Sequence, residues 1–375
     1  MTLRIGVIVH GPGIIDSGYA KKIIEILSKY GVVSCKLGGT MGRTAVIDGN
    51  LEDIIDISEK LLPSQSIKLL SKSNDILFLL NYGKSTVTGH TFGYKVLGNA
   101  GNDINLVQIE RPGEDDGTII QWNEKSDVTL INSVATDLNL PVIKADEVKS
   151  LVKDLTGYDK NNSRIERKIA GVSPGENIMV NGTIVGKATS DELVIIGEDN
   201  HIVEMIGGII KQHGLEKLGE VDLSTAIVKT GLLRKADNIK PRIIEHESND
   251  NLVVAFLDHA AEDIYKYRDV DLLVSVGDDT TLLSSDILYR FNIPIIGITD
   301  GDLDKVVLEG FKHKDSIIIQ VEQGNDDIIG HKIHDCLFDG KEKINIDDIS
   351  TFTNSLLDVI DKSGLDYKFV DKQLE

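Results

Sequence analysis

The sequence predicts an α/β protein with doubly wound parallel-sheet N-terminal and C-terminal domains and a small mixed β domain between them. In both end regions, continuous apolar runs of strand length alternate with stretches of helical period. This alternation is typical of a parallel sheet whose two faces are covered by helices. The middle region instead contains Asn181-Gly182, a hairpin signal, because both residues readily adopt the positive φ of a type I′ turn.

The changes of pattern predict four segments. They are an N-terminal α/β domain over 1–158, a β-rich domain over 164–236, a C-terminal α/β domain over 241–340 and a charged, partly helical tail over 341–375. Polar stretches between the first three segments are the expected linkers.

The elements of the N-terminal domain follow from its apolar runs. Strands are expected at Leu3–Val9, Val32–Leu37, Ile76–Leu80 and Ile104–Ile109, with helices at Tyr19–Lys29, Leu51–Leu61 and Thr91–Leu97.

The C-terminal domain repeats the same alternation. Its expected strands are Leu252–Phe256, Leu272–Val276, Pro294–Ile298 and Ile317–Val321, with helices at Ala260–Tyr267 and Leu282–Phe291 and a further helix in the tail at Phe352–Ile360.

Composition excludes several classes of protein. An apolar content of 41% is enough for each domain to bury a core. The net charge of −20 is spread along the chain and would repel nucleic-acid backbones, so broad nucleic-acid binding is not expected. Two distant cysteines and the absence of any run of about 20 apolar residues indicate a cytoplasmic protein without a membrane span. The sequence leaves the oligomeric state open.

Three turns of the N-terminal domain have the composition of phosphate-binding loops. Each follows a predicted parallel strand, so all three are expected at one edge of the sheet, where open α/β folds bind ligands. Glycine lets backbone N–H groups approach an anion, and the cations supply charge. The candidate ligand-binding residues are Gly11, Gly13, Gly38, Gly39, Thr40, Arg43, Gly83, Lys84, Ser85 and Thr86. The alternative is that these turns need glycine only for their backbone conformation.

Acidic residues follow two predicted strands of the C-terminal domain. Asp279 comes after the first of these strands, and Asp300 and Asp302 come after the second. Carboxylates clustered at strand ends are ligands that Mg²⁺ accepts together with substrate phosphates, so Mg²⁺ is the candidate cofactor. Solvated turn carboxylates in an acidic protein are the alternative interpretation.

The same region resembles two known families. Gly277-Asp278-Asp279-Thr280-Thr281, with the later Ile293-Pro294-Ile295-Ile296-Gly297-Ile298, is similar to the motif of the NAD kinase and diacylglycerol kinase superfamily. The resemblance implies Asp279 as the catalytic acid, although Asp278 and Thr280 stand where that motif has glycine. A strand ending in acid, a helix and a second strand ending in Asp-Gly-Asp also resemble a Toprim metal site. Both resemblances imply metal-dependent phosphotransfer, with Asp279 and Asp302 as the candidate catalytic residues.

A broader resemblance extends along the chain. The stretches over 173–186, 222–231 and 276–304 resemble a conserved protein family of methanogenic archaea that has no assigned activity. The resemblance implies an archaeal origin and no mechanism.

The sequence therefore predicts a protein that binds a nucleotide or phosphorylated small molecule, with Mg²⁺ as a candidate second ligand. Three alternatives stay open: an enzyme acting on that ligand, a non-catalytic ligand sensor, and an assembly or maturation factor that acts through its surfaces.

Overall fold

A computed structural model describes residues 2–101, 103–123, 125, 127–153, 158–161, 164–169, 172–231, 234, 239–245, 251–258, 264–301 and 310–370. The chain folds into two compact units, an N-terminal unit, Met1–Ile239, and a C-terminal unit, Lys240–Glu375. No helix in the described ranges is both long and apolar enough to cross a membrane.

The N-terminal unit begins with an α/β sheet and its helices. The strands are β1 (Arg4–His10), β2 (Val32–Gly38), β3 (Ile76–Asn81), β4 (Leu106–Glu110), β5 (Thr118–Gln121) and β6 (Val142–Lys144). The helices are α1 (Gly13–Asp16), α2 (Tyr19–Leu27), α3 (Arg43–Asp48), α4 (Pro63–Leu70), α5 (Thr86–Ala100), α6 (Val128–Leu138) and α7 (Ala145–Lys153).

The strand order of this sheet is β2-β1-β3-β4-β5-β6. Strands β1 to β4 are parallel, whereas β4 and β5 form an antiparallel pair. Neighbouring side chains of β1 enter different cores: Val7 packs with α2 and α6, and Ile8 packs with α4 and α5. Helices therefore cover both faces, and the doubly wound α/β prediction is confirmed here.

The predicted helix Leu51–Leu61 is wrong. Leu51 and Ile55 are both buried, and this spacing has the helical period. However, the backbone of Asp56 bonds to both Cys35 and Leu37 of β2, at 3.0 Å each. The segment is thus held as a bridge along the edge of β2, and the helix begins only at Pro63.

Two small sheets complete the N-terminal unit. Their elements are β7 (Tyr158–Asn161), β8 (Arg164–Ile169), β9 (Asn177–Val180), β10 (Thr183–Ala188), β11 (Leu193–Glu198), β12 (His201–Ile206), β13 (Gly208–Ile210), α8 (Gln212–Leu218) and β14 (Val228–Thr230). The strand orders are β13-β10-β9-β14 and β12-β11-β8-β7. The predicted hairpin is confirmed, because β9 and β10 pair across Asn181 and Gly182, whose φ values are 49° and 89°.

The C-terminal unit contains a second α/β sheet. Its elements are β15 (Leu252–Asp258), β16 (Leu272–Val276), α9 (Asp278–Leu288), β17 (Ile295–Thr299), β18 (Ile317–Val321), α10 (Asp326–Phe338), β19 (Lys343–Ile346), α11 (Ile349–Ser363) and β20 (Tyr367–Phe369). The order is β19-β15-β16-β17-β18-β20, with β15 to β18 parallel.

The segment expected as a charged tail supplies both edge strands of this sheet, β19 and β20. The apolar stripe of α11 explains this, since Phe352, Leu356 and Ile360 are buried against α10 and the sheet. Of the predicted helix Ala260–Tyr267, only the 3-10 turn Ile264–Tyr267 lies within the described residues. The four-segment domain division itself remains a prediction.

Candidate functional site

The last residues of four neighbouring strands form one row at the carboxyl edge of the N-terminal sheet. Gly38, His10, Asn81 and Glu110 end β2, β1, β3 and β4, and they are aligned in register across the sheet. We call this set the strand-end row. The chain connects β1 to β2 on one side and then crosses to β3 on the other, so the row contains a topological switch point, where open α/β sheets bind ligands.

The turns that follow these strands lie against one another. A Cβ atom added to Gly42, after β2, would lie 3.1 Å from the carbonyl oxygen of Gly11, after β1. A Cβ atom added to Gly13 would lie 3.4 Å from the Cβ of Tyr82, after β3. The expected convergence of the three turns is therefore present in the structure.

A buried network of hydrogen bonds connects the strand-end row to polar side chains inside the N-terminal unit. The Trp122 Nε1–H donates to Gln108 Oε1 at 3.1 Å, and Gln108 Nε2 donates to Glu110 Oε2 at 2.7 Å. The same carboxylate accepts bonds from Asn81 Nδ2 at 2.7 Å and from the Gly83 N–H at 2.6 Å. The Glu110 side chain is 0% exposed, and burial raises the pKa of its carboxyl group despite these donors.

His10 extends this network to the end of β1. Its Nδ1 lies 2.8 Å from Asn81 Oδ1, and its ring stacks on Phe92 of α5 with ring centres 3.9 Å apart. Burial lowers the pKa of His10 to about 4, and the charge of Lys229 acts in the same direction. The ring is therefore neutral at physiological pH.

The two cations expected to bind phosphate have other positions. Arg43 is 4% exposed and lies inside the protein at the start of α3. Lys84 Nζ bonds to both carboxylate oxygens of Glu176, at 2.6 and 2.7 Å. The Lys84 charge is thus offset by a carboxylate that comes just before β9.

The turn after β3 uses most of its other polar groups within the protein. The Gly83 N–H is taken by Glu110, Ser85 caps α5 through the Thr88 N–H at 3.3 Å, and the Thr86 hydroxyl bonds to Asp116. The structure therefore gives these candidate residues structural partners. The turns after β1 and β2, with Gly11, Gly13, Gly38, Gly39 and Thr40, lie at this carboxyl edge.

A lysine from the small β sheet is the additional cation. Strand β14 pairs with β9 next to Glu176, and a Cβ atom added to Gly231 would lie 3.7 Å from Glu176 Oε1. This places Lys229 near His10, where its charge affects the ring. Among the described residues, Lys229 forms no ion pair.

A second cluster occupies the carboxyl edge of the C-terminal sheet. Asp278 is the first residue of α9, Asp300 follows β17 and Asp326 is the first residue of α10. Each offers one carboxylate oxygen, and the three oxygens lie within 4.8 Å of one another. Asp300 also accepts the Gly324 N–H at 2.8 Å. This oxygen-only set suits a hard divalent cation.

The composition of this cluster differs in part from the expected one. Asp300 belongs to it, but Asp278 takes the place expected for Asp279, and Asp302 lies outside the described residues. Thr281 of the kinase-like motif is buried and shares a 2.9 Å hydrogen bond with Ser275, so it supports the packing of α9.

Sequence reasoning missed His10, Asn81 and Glu110 as functional candidates. One signal was available: each is a polar residue that ends an apolar run of strand length. The sequence also gives no reason to place Lys229 near His10, because no pattern relates a late β strand to the end of β1.

The fold and the strand-end row define an open-sheet α/β protein with polar residues at the carboxyl edge of a switch point. The chain belongs to the family described as "Uncharacterized protein conserved in archaea (DUF2117)", which matches residues 7–341. A protein of Methanocaldococcus jannaschii, described as uncharacterized, is 48% identical over 334 residues, covering 88% of this chain and 90% of the relative. The resemblance to an archaeal family without assigned activity is confirmed.

A crystal structure of a UDP-N-acetylglucosamine 2-epimerase aligns over 91% of this chain and 98% of its own, with 8% identity and a TM-score of 0.20. A likeness this weak supports no conclusion about fold or activity.

Proposed function

We propose that the N-terminal unit binds a phosphorylated small molecule or nucleotide in the crevice above the strand-end row. The observation that supports this most is the convergence of the β1 and β2 turns at the switch point between β1 and β3, with Lys229 close enough to His10 for its charge to act on the ring.

The charges around the crevice favour Lys229 as the phosphate-binding cation. Arg43 is buried and Lys84 is paired with Glu176, whereas Lys229 has no ion pair among the described residues. A charge-assisted hydrogen bond contributes about 1.5–3 kcal/mol, which is enough to dominate binding of a small anion.

The test measures affinity of the full-length protein for ribose 5-phosphate and ADP by calorimetry. Lys229→Ala should weaken binding of either probe about 10- to 100-fold, because one charge-assisted bond is lost. Lys68→Ala is the matched control: this exposed lysine lies in the last turn of α4, toward the opposite edge of the sheet. Equal affinities of wild type and Lys229→Ala, or no binding of either probe to wild type, would contradict the proposal.

Enzyme and sensor remain alternatives for this crevice. Phosphorus NMR can detect turnover of a bound probe, and this measurement separates an enzyme from a non-catalytic sensor. If wild type binds no phosphorylated probe, the third alternative gains support, a protein that acts through its surfaces. We also propose a cytoplasmic location, because Cys35 and Cys336 are both free thiols.

A second candidate function is divalent-cation binding by the C-terminal unit. Asp278, Asp300 and Asp326 bring three carboxylate oxygens within 4.8 Å of one another. Like charges this close repel, and Mg²⁺ would offset that repulsion while keeping water or phosphate oxygens in its remaining positions. Two of the three carboxylates also lie in the first turns of helices, where the helix dipole favours them without an ion.

Two adjacent residues allow a sharp test of the cation site. At a concentration 100 times its Kd, Mg²⁺ should stabilise wild type by about 2.7 kcal/mol. Asp278→Asn should abolish this gain without destabilising the metal-free protein, because it also removes a repulsive charge. Asp279→Asn, one residue along and outside the cluster, should retain the gain. Thermal unfolding in Mg²⁺ and in EDTA measures the stabilisation by Mg²⁺ in both variants. If only Asp279→Asn loses this stabilisation, the result would favour Asp279 as the metal ligand, as expected from the sequence.

A further inference from the structure

The hydrogen-bond directions around the strand-end row can be assigned from groups that only donate. The Trp122 indole N–H can only donate, so Gln108 Oε1 accepts it and Gln108 Nε2 must face Glu110. The Gly83 N–H likewise donates to the other oxygen of Glu110. Glu110 is therefore a carboxylate that accepts bonds on both oxygens.

The same reasoning extends to the histidine. Asn81 directs its Nδ2 amide hydrogens at the Glu110 carboxylate, so its Oδ1 faces His10 at 2.8 Å. An oxygen acceptor there requires the proton of the neutral ring on Nδ1. The Nε2 atom then has a lone pair, and no described residue donates a hydrogen bond to it.

We infer that His10 is a ligand-binding residue whose Nε2 accepts a hydrogen bond from a hydroxyl group of the phosphorylated compound. This inference rests on the proposed function and narrows it: Lys229 binds the anionic group and His10 recognises a neighbouring hydroxyl. The ligand class is accordingly a hydroxyl-bearing phosphate, such as a sugar phosphate or a nucleotide. Asn81 and Glu110 are positioning residues that hold the ring in the accepting tautomer.

The environment of the ring supports this division of roles. His10 stacks on Phe92, whose ring shields one face, and Lys229 is the positive charge that affects it. Protonated His10 would face that cation, so the ring contributes an acceptor and Lys229 contributes the charge. A neutral acceptor beside a cation matches a hydroxyl next to a phosphate better than it matches a phosphate alone.

The first experiment needs no ligand. Nitrogen NMR of the full-length protein labelled at histidine, at neutral pH, should show His10 protonated at Nδ1, with its signals assigned by their loss in His10→Phe. Asn81→Leu should lower the Nδ1–H population because it removes the acceptor. His90, whose Nε2 lies 3.1 Å from Thr118 Oγ1, is the internal reference in the same unit. A His10 ring protonated at Nε2 in wild type would overturn the inference, whatever the ligand.

The second experiment separates failure of the inference from failure of the proposed function. His10→Phe should weaken binding of ribose 5-phosphate about tenfold, the effect of one hydrogen bond, while leaving the affinity for inorganic phosphate unchanged. Lys229→Ala should weaken both. If Lys229→Ala has its effect but His10→Phe weakens both probes equally or neither, the inference is wrong and the proposed function stands. If neither probe binds wild type, the proposed function fails, and the tautomer measurement still decides the state of the ring.

Discussion

Gly93→Ala should destabilise the N-terminal unit by about 1–3 kcal/mol or more, whereas Gly98→Ala on the same helix should stabilise it by up to about 1 kcal/mol. A Cβ atom on Gly93 would overlap Gln108 Oε1 and come within 2.9 Å of the Trp122 ring, both of which are buried. At Gly98 the added atom would meet nothing within 4 Å, so only the helix propensity of alanine remains. Gly89 resembles Gly93, because its Cβ would overlap the Glu110 carboxylate.

Urea unfolding followed by tryptophan fluorescence measures this pair of variants. Trp122 is the single tryptophan of the chain and is bonded to Gln108, so its signal reports the N-terminal unit. The informative result is that the two substitutions change the unfolding free energy in opposite directions. If α5 tolerated alanine poorly at every position, the unfolding free energies of both variants would fall. Equal stabilities of Gly93→Ala and wild type would mean that α5 does not pack tightly against the buried network.

Glu110→Ala should destabilise the same unit by at least about 3 kcal/mol, because each buried donor left without an acceptor costs about 1–3 kcal/mol. The three donors are Asn81 Nδ2, Gln108 Nε2 and the Gly83 N–H. Glu114→Ala is the control, since this carboxylate is half-exposed near the same edge, where its ion pair with Arg111 spans 3.8 Å and its hydrogen bond from the Tyr82 hydroxyl is exposed to solvent. Its loss should change stability by less than about 1 kcal/mol. Similar effects of the two substitutions would contradict the buried network.

The pH dependence of Glu110 has a definite sign. Burial raises the folded-state pKa of this carboxyl above its unfolded value, so the folded protein holds the proton more tightly. The stability that this contributes is present below the unfolded pKa and is lost as the pH rises through the folded pKa. Relative to Glu110→Gln, wild type should therefore lose unfolding free energy as the pH rises through that window. Urea unfolding measures this difference in unfolding free energy. If wild type instead gained unfolding free energy relative to Glu110→Gln as the pH rises, the predicted sign would be wrong.

Apolar patterning was sufficient to predict much of the fold. The strands β1, β2, β3, β15, β16, β17 and β18 lie close to the predicted runs, because buried parallel strands need continuous apolar residues. The prediction failed at 51–61, where a helical spacing of Leu51 and Ile55 coincides with a backbone bonded to the edge of β2. Propensity could not reveal this, since the competing hydrogen bonds come from residues distant in sequence.

The candidate site was predictable only in part. Convergence of the glycine turns follows from parallel strands, which place their carboxyl ends at one edge. The partners of the cations do not follow from any local rule. Glu176 lies 92 positions after Lys84, and only the folded chain brings them together.

The sequence alone determined the α/β class, the hairpin at Asn181-Gly182 and the edge of each sheet at which polar turns would gather. These features depend on local periodicity and backbone preference, which short stretches of chain encode. Only the tertiary structure decided that Glu110 is buried and linked to His10 through Asn81, that Lys84 is paired and that Asp278 replaces Asp279 in the acidic cluster. The physical reason is that burial, charge pairing and hydrogen-bond direction depend on distances between residues far apart in the chain, and packing of the complete fold sets those distances.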